Sequence, residues 1–316
     1  MSLTTRDAVT THRSPSPTAR FLYWGSRATL RHVYRAWPLT ESGIRALGAV
    51  ERGFARLPRS PEVAVESASL GGVPVVTTTP LPGTADSGVS VLYLHGGAFV
   101  FCGPDTHARL CSGLAVHLDA PVHAVRYRKL PEVDLGALID DAYTAYRCLA
   151  GQLPETHRIV VAGDSAGGFL AAKICELAGL DGVRAPSAMV GYSPLFDLDR
   201  EVRDGSWFTR DAFQPARTVQ RAQQLWSRGP AGIRGERSML QVSPEAFPPT
   251  LITLAAGELV EEGALALTER LNAAGRTVET HRWHTAVHAF PVLGRLSPES
   301  RRAREITVEF LQRVLV

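Results

Sequence analysis

Lysine is nearly missing from this chain. Lys129 and Lys173 are the only two, and arginine supplies the rest of the fixed positive charge. The net charge is +3 and the arginines are scattered, so no basic stripe for nucleic acid is expected. Arg301, Arg302 and Arg304 lie together near the C-terminus and read as the solvated face of a helix. Cysteine is sparse as well. Cys102, Cys111, Cys148 and Cys175 form no C-x-x-C pair and each sits among apolar residues. That excludes a disulfide scaffold and implies free thiols in the reducing cytoplasm. No apolar run reaches the roughly eighteen residues that a membrane span needs. No basic segment followed by an apolar one opens the chain, so secretion is not expected. No stretch stands out as an amphipathic membrane-surface helix, which argues against aggregated lipid as a substrate.

What the sequence does have is alternation, without internal repeats. Its length fits one large α/β domain carrying a lid rather than two independent domains. Residues 1–18 are rich in Ser, Thr and Pro and are expected to be a disordered tail. Two helices are predicted next, one over residues 19–36 and one starting at the N-cap Thr40. The second has Ile44, Leu47, Val50, Phe54 and Leu57 at helical spacing, so this face should cover something, with Arg45, Glu51, Arg52 and Arg56 toward water. Residues 63–70 and 73–79 form a hairpin about Gly71-Gly72. Strands over 89–94, 122–127, 159–163, 188–192, 251–255 and 278–283 then alternate with helices. The expected fold class is α/β, a mostly parallel sheet covered by helices on both faces, with antiparallel strands at one edge. Residues 199–241, with Trp207, Phe208, Phe213 and Trp226, break the alternation and are expected to insert over the site and pair with the N-terminal helices as a lid. The organisation expected is a tail (1–18), cap helices (19–60), core (61–198), a cap insertion (199–241) and core again (242–316).

The chain is organised around Gly163-Asp164-Ser165-Ala166-Gly167-Gly168, between an apolar strand and a helix. A serine on a sharp strand-to-helix turn, with glycine two residues before and after, is the G-x-S-x-G nucleophile elbow. The glycines remove collisions at the strained turn, and the helix start aims N–H groups at the serine oxygen. A second motif, His95-Gly96-Gly97-Ala98-Phe99, directly follows the strand over 89–94. An HGG turn there supplies the other half of an oxyanion hole, because glycine lets backbone N–H groups approach a developing anion. Cys102, just behind this turn, is a candidate to line the site.

A serine hydroxyl needs a base. His281, His284 and His288 follow Ser165, and only His288 lies past the last strand, in a loop where such a sheet places its chemistry. His288 is therefore the expected base, with His284 the alternative. The same three histidines approach a metal spacing, but no Cys or carboxylate accompanies them and a strand would turn the first two to opposite faces, so no metal is expected. The acid should end the strand over 251–255. Glu258 comes first, while Glu261 and Glu262 look like the acidic first turn of the next helix. Glu258 is preferred, Glu261 is next, and Asp197 is a third candidate better suited to tying down its own turn.

These motifs carry a resemblance. HGGAF at 95–99, YRKLPE at 127–132, GDSAGG at 163–168, SPLFDL at 193–198 and HAF at 288–290 resemble the hormone-sensitive-lipase-like (bacterial family IV) carboxylesterases, which have the α/β-hydrolase fold with a helical cap. The resemblance covers nearly everything after Gly71. It implies Ser165 as nucleophile, His288 as base, and the backbones of Gly96, Gly97 and Ala166 as oxyanion donors, supported by His95, Asp164, Gly163 and Gly167. It also implies short- to medium-chain carboxylic esters as substrates, no cofactor, and a homodimer formed through the edge strand near the C-terminus. The family writes YRLAPE where this chain has Tyr127-Arg128-Lys129-Leu130-Pro131-Glu132, and the acid loop is one residue short, so that an ungapped alignment puts Gly257 at the acid position. The rival activities are the same triad on an amide or formamide, and a non-catalytic small-molecule receptor like the related plant gibberellin receptors.

Overall fold

A computed structural model describes residues 8–82, 87–200, 211–227 and 232–315. In chain order the elements are β1 (Val9–His12), α1 (Pro17–Ala28), α2 (Leu30–Ala36), α3 (Glu41–Ala55), β2 (Val63–Leu70), β3 (Val73–Pro80), β4 (Val89–Leu94), α4 (Ala108–Leu118), β5 (Val122–Val125), α5 (Leu135–Gln152), β6 (Arg158–Asp164), α6 (Ala166–Asp181), β7 (Ala188–Tyr192), α7 (Ala216–Trp226), β8 (Thr250–Ala255), α8 (Glu261–Ala273), β9 (Val278–Trp283) and α9 (Pro298–Val314). The described strands form one sheet in the order β1-β9-β8-β7-β6-β4-β5-β3-β2. Only the β2–β3 and β3–β5 pairings are antiparallel.

Each central strand alternates between two cores. Val91 and Tyr93 of β4 pack toward α4 and α9, while Leu92 and Leu94 pack toward α5 and α6. Because both faces are covered, the strands read as continuous apolar runs rather than as polar–apolar alternation. Helix α6, which follows Ser165, is buried from Ala166 to Ala178, so its first turn is fixed by packing on all sides.

The expected tail is corrected within the described residues. Residues 1–7 lie outside them, but Val9–His12 forms β1, in parallel register with β9 from Val9↔Thr280 to His12↔Trp283. An uncovered β9 would leave a row of backbone donors and acceptors unpaired. Specific side-chain contacts fix the segment. The His12 ring stacks on Trp283 with centroids 3.7 Å apart, and the Ser16 N–H and hydroxyl donate to Glu299 at 2.7 and 3.0 Å. With β1 on that edge, β9 is not the free edge strand through which the implied dimer would pair.

The helix expected over 19–36 is broken at Thr29, whose hydroxyl donates to the Gly25 carbonyl (2.7 Å) and whose backbone leaves the helical region. Such back-bonding competes with the backbone ladder. The N-cap at Thr40 forms, accepting the Gly43 N–H. Helices α1–α3 and α7 meet above the C-terminal ends of the strands. Thr218 donates to the Tyr34 carbonyl (3.0 Å), Ser26 donates to that of Ala212 (3.1 Å), and Lys129 ties α3 down through Glu51 (2.8 Å). Glu51 thus faces the core domain rather than water. Within the expected insertion, residues 201–210, which include Trp207 and Phe208, and residues 228–231 lie outside the described part.

Candidate active site

Ser165 sits between β6 and α6 with φ 50° and ψ −120°, a conformation an L-residue holds only when its surroundings impose it. The surroundings are main chain. A Cβ on Gly167 would lie 2.0 Å from the Leu94 carbonyl oxygen, and one on Gly163 would lie 2.4 Å from that of Gly167. Glycine at both positions lets the turn close against β4.

Asp164 locks the turn to the HGG loop. One of its carboxylate oxygens accepts the Tyr93 hydroxyl (2.7 Å), the Gly96 N–H (2.9 Å) and His107 Nε2 (3.0 Å). Burial pushes this carboxyl up, but His107, Tyr93 and Gly96 outweigh it and hold it below its ordinary value. Burial likewise opposes charge on His107, and Asp164 more than offsets it, so His107 is raised. His95 is buried and stacked on Tyr127, whose hydroxyl donates to the His95 carbonyl (2.6 Å). Burial, with His107 nearby, lowers His95 to about 3, so it is a neutral structural residue.

One expectation needs correction here. The Gly96 N–H is committed to Asp164 and is not free to receive an oxyanion. The next two N–H groups, on Gly97 and Ala98, are free of partners among the described residues, as is that of Ala166 at the start of α6. Gly97 (φ 112°), Ala98 (φ 54°) and Phe99 (φ 62°) turn the loop back over the site. Gly97, Ala98 and Ala166 line the same cavity as Ser165. Ala98, rather than Gly96, therefore has the N–H that is free to face the cavity. The sequence held no signal for this one-residue shift, because it depends on which N–H the Asp164 carboxylate takes. Trp226 of α7 steadies the loop by donating from Nε1 to the Ala98 carbonyl (3.0 Å) and packing edge-on against Phe99.

His288 follows β9, and its Nδ1 lies 2.8 Å from Glu258 Oε2. The other Glu258 oxygen accepts the Ala255 N–H (3.0 Å). Burial raises the Glu258 carboxyl, and His288 only partly offsets that. Burial alone would lower His288, but the hydrogen bond and charge of Glu258 hold it above 6.5. The remaining ring nitrogen, Nε2, is buried without a hydrogen-bond partner, and His288 and Ser165 both line the cavity. Such a nitrogen is available to a proton carried by something in that cavity.

The rival candidates have other partners. Glu261 accepts the Gly257 N–H (2.7 Å) and pairs with Arg282. His284 is within 3.1 Å of Arg282, and Asp197 accepts the Asp199 N–H across its own turn (3.1 Å). Gly257, which an ungapped alignment sets at the acid position, has no side chain there. Two supporting residues went unrecognised in the sequence. The Ser193 hydroxyl accepts the Ala289 N–H (3.0 Å) and so holds the loop beside His288. Asp211 accepts the N–H groups of Phe213 (2.7 Å), Gln214 (2.8 Å) and Leu259 (3.2 Å), joining the insertion to the Glu258 loop. Cys102 lines the cavity, as expected for a residue just behind the HGG turn, and burial pushes its thiol up to about 12. The cavity measures about 1070 Å³ and its upper walls come from α2, α3 and α7.

Residues 91–292 match the model of a family with the alpha/beta hydrolase fold. The carboxylesterase/phospholipase LipF of Mycobacterium tuberculosis is 34% identical over 238 residues, covering 72% of this chain but only 62% of that protein. The esterase LipU of the same organism is 35% identical over 231 residues, covering 71% of this chain and 77% of its own. Among solved structures, an esterase from the bacterial hormone-sensitive lipase family superposes with a TM-score of 0.81 at 26% identity, over 96% of this chain and all of that one. The chain belongs to the α/β-hydrolase fold family, in the group of hormone-sensitive-lipase-like carboxylesterases.

Proposed function

We propose that this protein is a serine carboxylesterase that hydrolyses short- to medium-chain carboxylic esters through an acyl-enzyme on Ser165. The observation that carries the reading is the buried His288–Glu258 pair, which leaves Nε2 without a partner in the cavity that the strained Ser165 lines. His288 Nε2 takes the Ser165 proton as Oγ bonds to the ester carbonyl carbon. Glu258, on Nδ1, fixes the tautomer and stabilises the imidazolium. The N–H groups of Gly97, Ala98 and Ala166 receive the oxyanion, each worth roughly 10²–10³ in rate at comparable sites. Collapse of the tetrahedral adduct breaks the bond to the alcohol oxygen, which leaves with the proton held by His288. Water then attacks the acyl-enzyme by the same route, releasing the acid and restoring Ser165. No cofactor enters this scheme. The names carried by the relatives, carboxylesterase and esterase, support the reaction class, and helices α1–α3 with α7 act as the cap.

The test is a series of chromogenic esters from acetate to dodecanoate, run beside matched anilides, with a fluorophosphonate probe on the same preparation. Ester turnover that peaks at short to medium chains, is lost in Ser165→Ala, and is accompanied by labelling of Ser165 is the expected result. Anilide turnover exceeding that of the matched esters, or a folded protein that the probe does not label, would refute the proposal.

A further inference from the structure

The cap exposes more apolar surface than its packing needs. Phe21 and Trp24 on α1 are 76% and 61% exposed, and Leu30, Val33, Val50 and Phe54 on α2 and α3 are exposed as well. The last four also line the cavity that holds Ser165, so exposed apolar side chains of α2 and α3 stand at the mouth of the site. Large apolar side chains exposed on neighbouring helices around a cavity mouth mark an interaction surface.

Charge on the same helices is one-sided. Residues 17–57 hold seven arginines and two glutamates, and one of the glutamates, Glu51, is paired with Lys129. Arg20, Arg35, Arg52 and Arg56 are exposed. A second copy of the chain would bring the same positive face against itself, which opposes a symmetric self-association. A face that is apolar, aromatic and cationic suits an anionic lipid–water boundary, where Trp and Phe enter among the head groups and arginines meet phosphates.

We propose that α1–α3 form a docking face for an anionic phospholipid surface, setting the mouth of the cavity against the boundary from which an ester partitions into the site. This is surface attachment, since no helix among the described residues is long and apolar enough to cross a membrane. No membrane-surface helix stands out in the sequence because the apolar spacing of α3 looks like a core-facing stripe there, and only the exposure of Val50, Phe54 and Leu57 separates the two meanings. The docking face rests on the esterase reading for what enters the cavity, but attachment does not require turnover.

The test is co-sedimentation of the full chain with vesicles of phosphatidylcholine alone and of phosphatidylcholine mixed with phosphatidylglycerol, at low and high salt. Binding should favour the mixed vesicles by at least about tenfold and weaken with salt. Phe21→Ser with Trp24→Ser, two residues outside the cavity lining, should cut vesicle binding about tenfold or more while turnover of a water-soluble acetate ester stays within about twofold. Arg35→Ala with Arg52→Ala should cut it by about 25-fold, since each surface arginine is worth about fivefold. An unchanged melting temperature, with the retained turnover, establishes that the variants are folded. Equal binding to both vesicle types, variants that bind like the parent, or a dimer that the Phe21/Trp24 variant dissociates would overturn the docking face. Absent binding with normal ester turnover would overturn it alone. Normal binding without any ester turnover would support docking and remove the esterase reading instead.

Discussion

The sharpest consequence of the site concerns Glu258 and its neighbour Glu261, two carboxylates three residues apart that sequence alone does not separate. Glu258→Gln keeps the shape of a side chain that bonds His288 Nδ1 at 2.8 Å and Ala255 N at 3.0 Å. Its amide can donate to Nδ1, which moves the imidazole proton to Nε2 and removes the base. Replacing the triad acid by its amide in a comparable site costs about 10⁴ in kcat, or roughly 5 kcal/mol of barrier. The pH profile adds a second readout. In the proposed mechanism His288 must be neutral to accept the Ser165 proton, and Glu258 holds it above 6.5. The parent enzyme should therefore lose kcat/KM as pH falls through a value above 6.5. In Glu258→Gln the largest opposition to burial is gone and only the charges of Asp211 and Asp164 remain, so the residual activity should have its acid limb displaced to lower pH. Glu261→Gln removes a partner of Gly257 and of the partly exposed Arg282. It should leave kcat within a few-fold and lower stability by about 1 kcal/mol. The assay is stopped-flow or steady-state hydrolysis of a chromogenic butyrate across pH, with a thermal melt for each variant. Turnover of Glu258→Gln within a few-fold of the parent, together with its loss in Glu261→Gln, would refute the reasoning.

Other predictions follow from the supports of the site. Gly167→Ala puts a Cβ 2.0 Å from the Leu94 carbonyl oxygen, so soluble yield and melting temperature should both collapse, by the equivalent of about 3 kcal/mol or more. Trp226→Phe removes the hydrogen bond to the Ala98 carbonyl but leaves an aromatic ring near Phe99, so kcat should fall about tenfold with a melting temperature only slightly lower. Trp226→Ala should also cost about 3–5 kcal/mol in denaturant unfolding. The Asp164–His107 pair predicts a pH window of stability. His107 is raised, so its contribution is complete below about 6.5 and fades as pH rises through its folded value, while Asp164, lowered, contributes above about 3.8 and fades in stronger acid. His107→Gln should flatten the alkaline side of a melting-temperature profile, and a profile identical to the parent's would count against the pair.

Much of this was legible in the chain because local geometry dictates local residues. A turn in which an added Cβ would lie 2.0–2.4 Å from a carbonyl oxygen admits only glycine, and so Gly163 and Gly167 announce the elbow around Ser165. Two-sided burial writes β4 and β6 as apolar runs, and parallel crossovers require the helices between them. His288 was singled out by its place after the final strand. What the sequence did not disclose was set by competition among groups far apart in the chain. The Ser, Thr and Pro content of the first eighteen residues resembles a tail, but the open edge of β9 and the carboxylate of Glu299 order Val9–His12 and Ser16.

By itself, then, the sequence determined the fold class and singled out Ser165, His288 and a short choice of acids as candidates, because each depends on a turn or on a periodicity contained in a few consecutive residues. Only the tertiary structure decided that Glu258 rather than Glu261 meets His288, that Asp164 takes the Gly96 N–H while those of Gly97 and Ala98 stay free among the described residues, and that the apolar stripe of α3 stays partly open to solvent. The physical reason is common to all three. A hydrogen bond or a buried face belongs to whichever partner the whole chain brings nearest, and that is fixed by packing rather than by spacing along the sequence.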